Sequence, residues 1–202
     1  MVRKLSFLLI GMVALMLAAC GGGGGTGTNG NASSAALDQS YDADGVTFKY
    51  PTGWVVQKPA APGGPITLGN NQATLDVLGA GNSTKAESGQ QAIIIYPFVG
   101  DAFKAISATI TAPIDLLKQM APAMSSGDNG LKFGDPVEAT VGGNPAAKAT
   151  GTSDAGDGKI IVIKAGDVGY VLVMGVTAKG ELGNIEGTVD GLAETVAVKP
   201  AS

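Results

Sequence analysis

Two apolar runs, Ile160-Ile161-Val162-Ile163 and Tyr170-Val171-Leu172-Val173-Met174, stand either side of Gly166-Asp167 and constrain the fold more than any other feature of the 202-residue chain. A glycine–aspartate pair between two strand-forming runs predicts a hairpin over Lys159–Lys164 and Tyr170–Thr177. A strand with one wet face alternates apolar and polar residues, and these do not alternate. They predict central strands covered on both faces, hence a sheet between two other layers.

The flanking segments supply those layers. Val137–Val141 and Ala146–Thr150 flank Gly142-Gly143-Asn144, a second hairpin signal. Val46, Phe48 and Tyr50 alternate with Thr47 and Lys49, predicting a strand with one face in the core; Pro51 and Gly53 then turn the chain so that Trp54, Val55 and Val56 return under that face. Ala92–Tyr96 reads as a strong strand ended or bulged by Pro97, and Leu75–Leu78 as a weaker one before a polar loop over 79–91. Helical spacing begins at Thr111, read as the N-cap, with Ile114, Leu117, Ala121 and Met124 on one face and Pro122 set to kink or end the helix. From Glu181 to Val196, Leu182, Ile185, Val189, Leu192 and Val196 recur at spacings of three and four, an amphipathic helix. Gly183, Gly187 and Gly191 form a row on an adjoining face, suited to close docking on the sheet or on a partner.

The amino terminus is of another kind. Arg3 and Lys4 precede an apolar run from Leu5 to Leu17, too short to span a bilayer, which needs about 20 apolar residues. Leu17-Ala18-Ala19-Cys20, holding the one cysteine of the chain, resembles the lipobox of bacterial lipoproteins. The resemblance implies cleavage before Cys20 and acylation of its sulfur; the alternative is an ordinary secretory signal with a stray cysteine. Glycine at position 21 implies, by the same resemblance, the outer membrane if the cell is Gram-negative, or the outer face of the membrane in a single-membrane bacterium. Residues 21–36, rich in Gly, Thr, Asn and Ser, read as a flexible tether with an r.m.s. reach of roughly 20–25 Å. The expected organisation is a signal peptide over 1–19, an acylated cysteine and linker over 20–40, and one folded domain over 41–200. The expected address is the extracytoplasmic side of the cell envelope, with the membrane met through the lipid anchor.

Charge narrows the partners. Of 13 basic residues Arg3 and Lys4 belong to the leader, which leaves 11 lysines against 17 acidic residues, a net charge of −6 with no arginine. Such a surface lacks the footprint of a nucleic-acid binder; the anchor and tether make another envelope protein the expected partner. There is no histidine, and Cys20 is assigned to lipid. Triads with histidine, zinc sites built on His or Cys, and disulfides are thereby excluded. What remains for chemistry is carboxylates, lysine, hydroxyls and oxygen-ligated cations.

No catalytic residues and no cofactor are assigned. Asp42-Ala43-Asp44-Gly45 and Asp154-Ala155-Gly156-Asp157-Gly158 each set two carboxylates near glycine. Asp42, Asp44, Asp154 and Asp157 are therefore weak candidate ligands for calcium or another divalent cation, although neither stretch completes a calcium loop and tight turns favour the same residues. Asp128-Asn129-Gly130 reads as a turn. Asp76, Glu87, Asp101 and Glu138 form no acid/base couple by spacing, which leaves a carboxylate hydrolase with little to stand on. Tyr50 and Trp54 read as core anchors or as a groove lining, and Tyr96 and Phe98 as an exposed edge open to strand addition.

The phrase Asp44-Gly45-Val46-Thr47-Phe48-Lys49-Tyr50-Pro51-Thr52-Gly53-Trp54 resembles the opening of PsbP-like domains, and the later order of helix, Gly-Gly-Asn-Pro-Ala meander, Tyr170 strand and closing helix is similar over roughly residues 41–198. The resemblance implies an α+β fold with an antiparallel sheet flanked by helices on both faces, three layers in all, and a non-enzymatic binding or assembly-support role. It brings no catalytic set, and no photosynthetic role is expected. The alternative function is a small-ligand or divalent-cation binding module serving a transporter.

Overall fold

The computed structural model describes residues 36–79, 85–107, 109–125 and 130–199. The leader, Cys20, the tether up to residue 35 and the Asp128-Asn129 pair lie outside them. The strands are β1 (Gln39–Ala43), β2 (Val46–Tyr50), β3 (Val55–Gln57), β4 (Ile66–Gly69), β5 (Gln91–Val99), β6 (Lys132–Phe133), β7 (Val137–Val141), β8 (Asn144–Thr152), β9 (Asp157–Ala165), β10 (Gly169–Thr177) and β11 (Ala197–Val198). The helices are α1 (Gln72–Gly79), α2 (Gly100–Ser107), α3 (Pro113–Met124) and α4 (Leu182–Thr195).

An antiparallel sheet in the order β3-β4-β5-β10-β9-β8, with β6 and β7 both on the far side of β8, forms the middle layer. The apolar runs are its centre, as expected: β9 and β10 pair from Ala165↔Gly169 to Asp157↔Thr177. Alternate residues serve opposite layers. Ile161, Ile163, Val171 and Val173 meet Ile185, Val189 and Leu192 of α4, whereas Ile160, Val162, Tyr170 and Leu172 meet Leu116, Leu117 and Met120 of α3. The fold is α+β in three layers. The α4 layer also contains a small sheet, β1-β2-β11, whose Tyr41, Val46 and Phe48 complete that core.

Several local expectations are corrected. Leu75–Leu78 is not a strand but part of α1, because Asn71 Oδ1 accepts the Thr74 amide at 2.9 Å and caps a helix. Pro97 does not end β5. The Asn70 amide donates to Gln91 O, so odd-numbered residues of β5 aim their backbone groups toward β4. β4 stops at Ile66↔Ile95, and proline's missing N–H at 97 leaves no ladder bond unmade. Helix α3 is capped by Ala112 without a side-chain bond rather than by Thr111; Pro113 stands in its first turn and its buried face is Pro113, Leu116, Leu117, Met120 and Met124. Pro122 sits in the last turn and the helix runs two residues past it. The hairpin of the opening phrase is β1–β2, closed by Asp44 and Gly45 at φ 54° and 78°. β3 joins the large sheet by pairing β4.

Neither Gly183 nor Gly191 seats α4 on the sheet. A Cβ on Gly183 would meet nothing within 4 Å, and one on Gly191 would lie 3.2 Å from Leu37. The notch is in the sheet instead, where a Cβ on Gly175 of β10 would fall 2.3 Å from Val189 Cγ2. Structure also begins ahead of residue 41, since β1 starts at Gln39 and Leu37 packs against the α4-side core.

Candidate functional site

The most heavily buried charge among the described residues is Lys159, 3% exposed, on β9. It shares the strand face of Ile161 and Ile163, so it points at α4. Glu186 and Asp190, four residues apart, lie on one face of that helix. Lys159 Nζ donates to Glu186 Oε1 and Asp190 Oδ2, both at 2.7 Å. The carboxylates remain 45% and 44% exposed, so the triad runs from the core to solvent. An amine committed to two carboxylates is not poised for nucleophilic attack. Its effect is to fix the rotation of α4 on the sheet.

The four candidate cation ligands lie in two places. Asp42 and Asp44 belong to the β1–β2 hairpin, where Asp42 pairs with Lys199 and Asp44 accepts the Tyr41 hydroxyl. Burial, and then the Asp44 carboxylate, push the Tyr41 phenol upward. Asp154 and Asp157 flank the β8–β9 turn. Asp154 Oδ1 accepts from Lys179 Nζ at 2.7 Å, and that hydrogen bond and charge hold its carboxyl below the usual range. Asp157 accepts from Thr152 Oγ1 at 2.6 Å and from the Gly180 amide at 2.7 Å. Ser153 organises the same turn, its Oγ accepting the Ala155 and Gly156 amides at 3.1 and 3.2 Å. Among the described residues no cluster of three or more carboxylates is placed to hold a metal ion.

Tyr50 and Trp54 are half-buried against the α4-side core, the anchoring alternative of the two expected. Tyr96 and Phe98 do not form an exposed edge: they stack 6.3 Å apart beneath the α2/α3 layer, paired across to Leu172 and Tyr170, and Phe98 is buried. Burial pushes the Tyr96 phenol upward. The other carboxylates are scattered and form no acid/base couple, as their spacing predicts: Asp76 on α1 accepts from Gln72, Asp101 on α2 pairs with Lys104, Glu87 lies ahead of β5 and Glu138 on β7. A recess of about 20 Å³, lined by Thr74, Val77, Ala86, Gln90, Ala92 and Val176, is far smaller than the roughly 300–1,000 Å³ of small-molecule sites.

Sequence reasoning missed the triad, and also a clamp in which Glu181 accepts the Ser88 hydroxyl and the Gly89 amide. A signal for the triad existed. Two carboxylates at i and i+4 on an amphipathic helix, with a lysine opening an apolar strand, invite pairing, but 27 and 31 residues separate the partners.

No protein-family model matches the chain, and no curated protein does. Solved structures do. The solution structure of cyanobacterial PsbP (CyanoP) from Synechocystis sp. PCC 6803 superposes with a TM-score of 0.50 at 17% identity, over 85% of this chain and 98% of that one. LpqN of Mycobacterium tuberculosis, described as involved in cell envelope biogenesis, covers 77% of this chain and 83% of its own at 16% identity, with a TM-score of 0.36. Three layers around an antiparallel sheet, matched over nearly the whole of CyanoP, make this a PsbP-like fold.

Proposed function

We propose that the protein is a lipid-anchored component of the cell envelope whose PsbP-like domain binds or supports another envelope component without doing chemistry of its own. The observation that carries this is Leu17-Ala18-Ala19-Cys20 at the end of a charged and then apolar leader, followed at once by five glycines. Two or more acyl chains on Cys20 would hold the domain stably at a bilayer. The domain's polar groups favour the same reading: Lys159, Asp42, Asp154 and Asp157 each bond to groups within the fold. A cation-binding role would have to displace Lys199 from Asp42 or Lys179 from Asp154.

Mass spectrometry of the protein from its native membrane is expected to find an amino-terminal Cys20 carrying fatty acyl groups. Cys20→Ser is expected to retain the leader and lose the acyl mass. An unmodified Cys20 in protein free in the medium or the cytosol would overturn the proposal. The binding role is tested separately, by crosslinking in intact cells. A stoichiometric envelope protein is expected, and recovery of none would count against it.

A further inference from the structure

The four helices are held very unequally. Helices α3 and α4 each bury five residues and α1 buries Thr74 and Leu75, whereas α2, Gly100-Asp101-Ala102-Phe103-Lys104-Ala105-Ile106-Ser107, buries none. Its inward side chains are Phe103 and Ile106, three residues apart on one face, and the core covers them only in part. Its polar side chains turn back on the helix itself: Lys104 Nζ donates to Asp101 Oδ1 at 3.0 Å, and Ser107 Oγ to Lys104 O at 3.2 Å. Among the described residues, no side-chain hydrogen bond or ion pair ties α2 to the sheet or to α3.

The joint at its start is free to turn. Helix α2 follows Val99, the last residue of β5, with nothing between them, and Gly100 stands there at φ 59°. A Cβ on Gly100 would meet nothing within 4 Å. Glycine adopts either sign of φ at similar cost, so the backbone does not fix the angle between strand and helix. At the other end the Thr109 and Ile110 amides both donate to Ile106 O at 3.0 Å, bonds that exist only while the last turn is helical. Eight residues fall short of the about 12–15 at which an isolated helix persists, so α2 lifted off the core melts and regains chain entropy.

The side chains beneath α2 tolerate its departure. The Phe103 ring lies 5.8 Å from that of Tyr170, which is 1% exposed and faces Phe98 across the β5–β10 ladder. The Tyr170 hydroxyl donates to Ile110 O at 3.5 Å, well beyond the usual O–H···O separation of about 2.7–2.8 Å. Water reaching that hydroxyl would make a shorter bond, which offsets part of the cost of wetting the rings.

We infer that α2 is a lid, pivoting at Gly100 and latched by Phe103, that opens while β5, β10 and α3 stay in place and uncovers Tyr170 and Phe98. Closed, it completes the α2/α3 layer; open, it leaves an aromatic cleft with one hydroxyl at the end of the sheet. The device does not depend on the acylation of Cys20.

Hydrogen exchange on the full-length protein, read by mass spectrometry in urea below the unfolding transition, tests this without any variant. The α2 amides are expected to exchange through an opening whose urea dependence is above zero and below that of α3 and α4. Phe103→Ala is expected to speed α2 exchange about 10-fold and to leave Pro113–Met124 within about 2-fold of the parent. In the same variant, nitration of Tyr170 by tetranitromethane, followed on its own peptide, is expected to rise about 10-fold, with that of Tyr41 in the opposite core unchanged. Equal urea dependence in α2 and α3, or equal acceleration of both by Phe103→Ala, would show a layer that opens as one and would overturn the inference. So would α2 exchange without urea dependence alongside unchanged Tyr170 nitration, the signature of fraying that uncovers nothing.

Discussion

The two faces of the large sheet are comparably dry but are closed by different chemistry. The α4 face is packed by branched aliphatics, Ile161, Ile163, Val171, Val173, Ile185 and Val189, with a notch at Gly175 and an ion triad at its margin. The α2/α3 face also has branched aliphatics in Ile94, Ile110, Ile160 and Val162, but adds Met120, Met124, Met174, Phe98, Phe103 and Tyr170, with Tyr96 at its border. Branched side chains have few rotamers and a notch admits one partner, so the first face specifies where its helix sits. Methionine has three rotatable bonds and fills irregular gaps, so the second face tolerates change. One layer is indexed and the other is accommodated.

The sharpest way to break this contrast is to remove the indexing charge. In Glu186→Gln/Asp190→Asn the Lys159 ammonium keeps its burial and loses both counter-charges, a cost of about 3–5 kcal/mol in equilibrium urea unfolding. Lys159→Met, which keeps the volume and leaves two half-exposed carboxylates, is expected within about 1 kcal/mol of the parent. If the two variants cost the same, the triad does not act through the buried charge.

Steric indexing comes next. Gly175→Ala drives a methyl into Val189 and should cost about 1–3 kcal/mol, whereas the volume-conserving Met120→Leu on the opposite face should cost under about 1.5 kcal/mol. Equal costs in thermal or urea melts would remove the distinction between the layers.

The smallest effect lies at the sheet end, away from both faces. The Asp154 carboxyl is held below its ordinary value of 3.8 by Lys179. A lowered folded-state pKa contributes stability above the ordinary value, and that contribution is lost as pH falls through the folded value. Lys179→Gln should therefore flatten the fall of stability below about pH 4 and leave its shape between pH 5 and 7 unchanged. The check is urea unfolding at pH 3, 4, 5 and 7.

Much of the fold is legible in the chain wherever one local signal suffices. Gly142-Gly143 and Gly166-Asp167 mark turns that the strands obey, and the spacing of Ile185, Val189 and Leu192 places α4. Legibility fails where a distant neighbour decides. The Leu75–Leu78 segment is too short for its periodicity to separate strand from helix, and the Asn71 cap settles it. Pro97 is read as a breaker because nothing local reveals that β4 stops at Ile66. The helical glycine row suggests docking, but the needed glycine lies in β10, whose own pattern shows only an apolar strand. Strand β1, helix α2 and strand β6 are short and give no periodic signal of their own. The triad's residues carry a local signal, but their pairing, like that of β1 with β2 and of Leu37 with Gly191, is defined only in three dimensions.

The β1–β2–β11 sheet has a mechanical consequence. Ahead of β1, Asp38 accepts the Thr52 amide at 2.9 Å, and the chain from residue 36 joins the fold at that point. A pull on the chain at residue 36 meets this clamp first and then the Gln39↔Tyr50 end of the hairpin. Bonds opened one after another from an end yield at lower force than bonds sheared together. Under load the small sheet would peel while the eight-stranded layer stayed intact, so the point where the chain enters the fold would yield before its core.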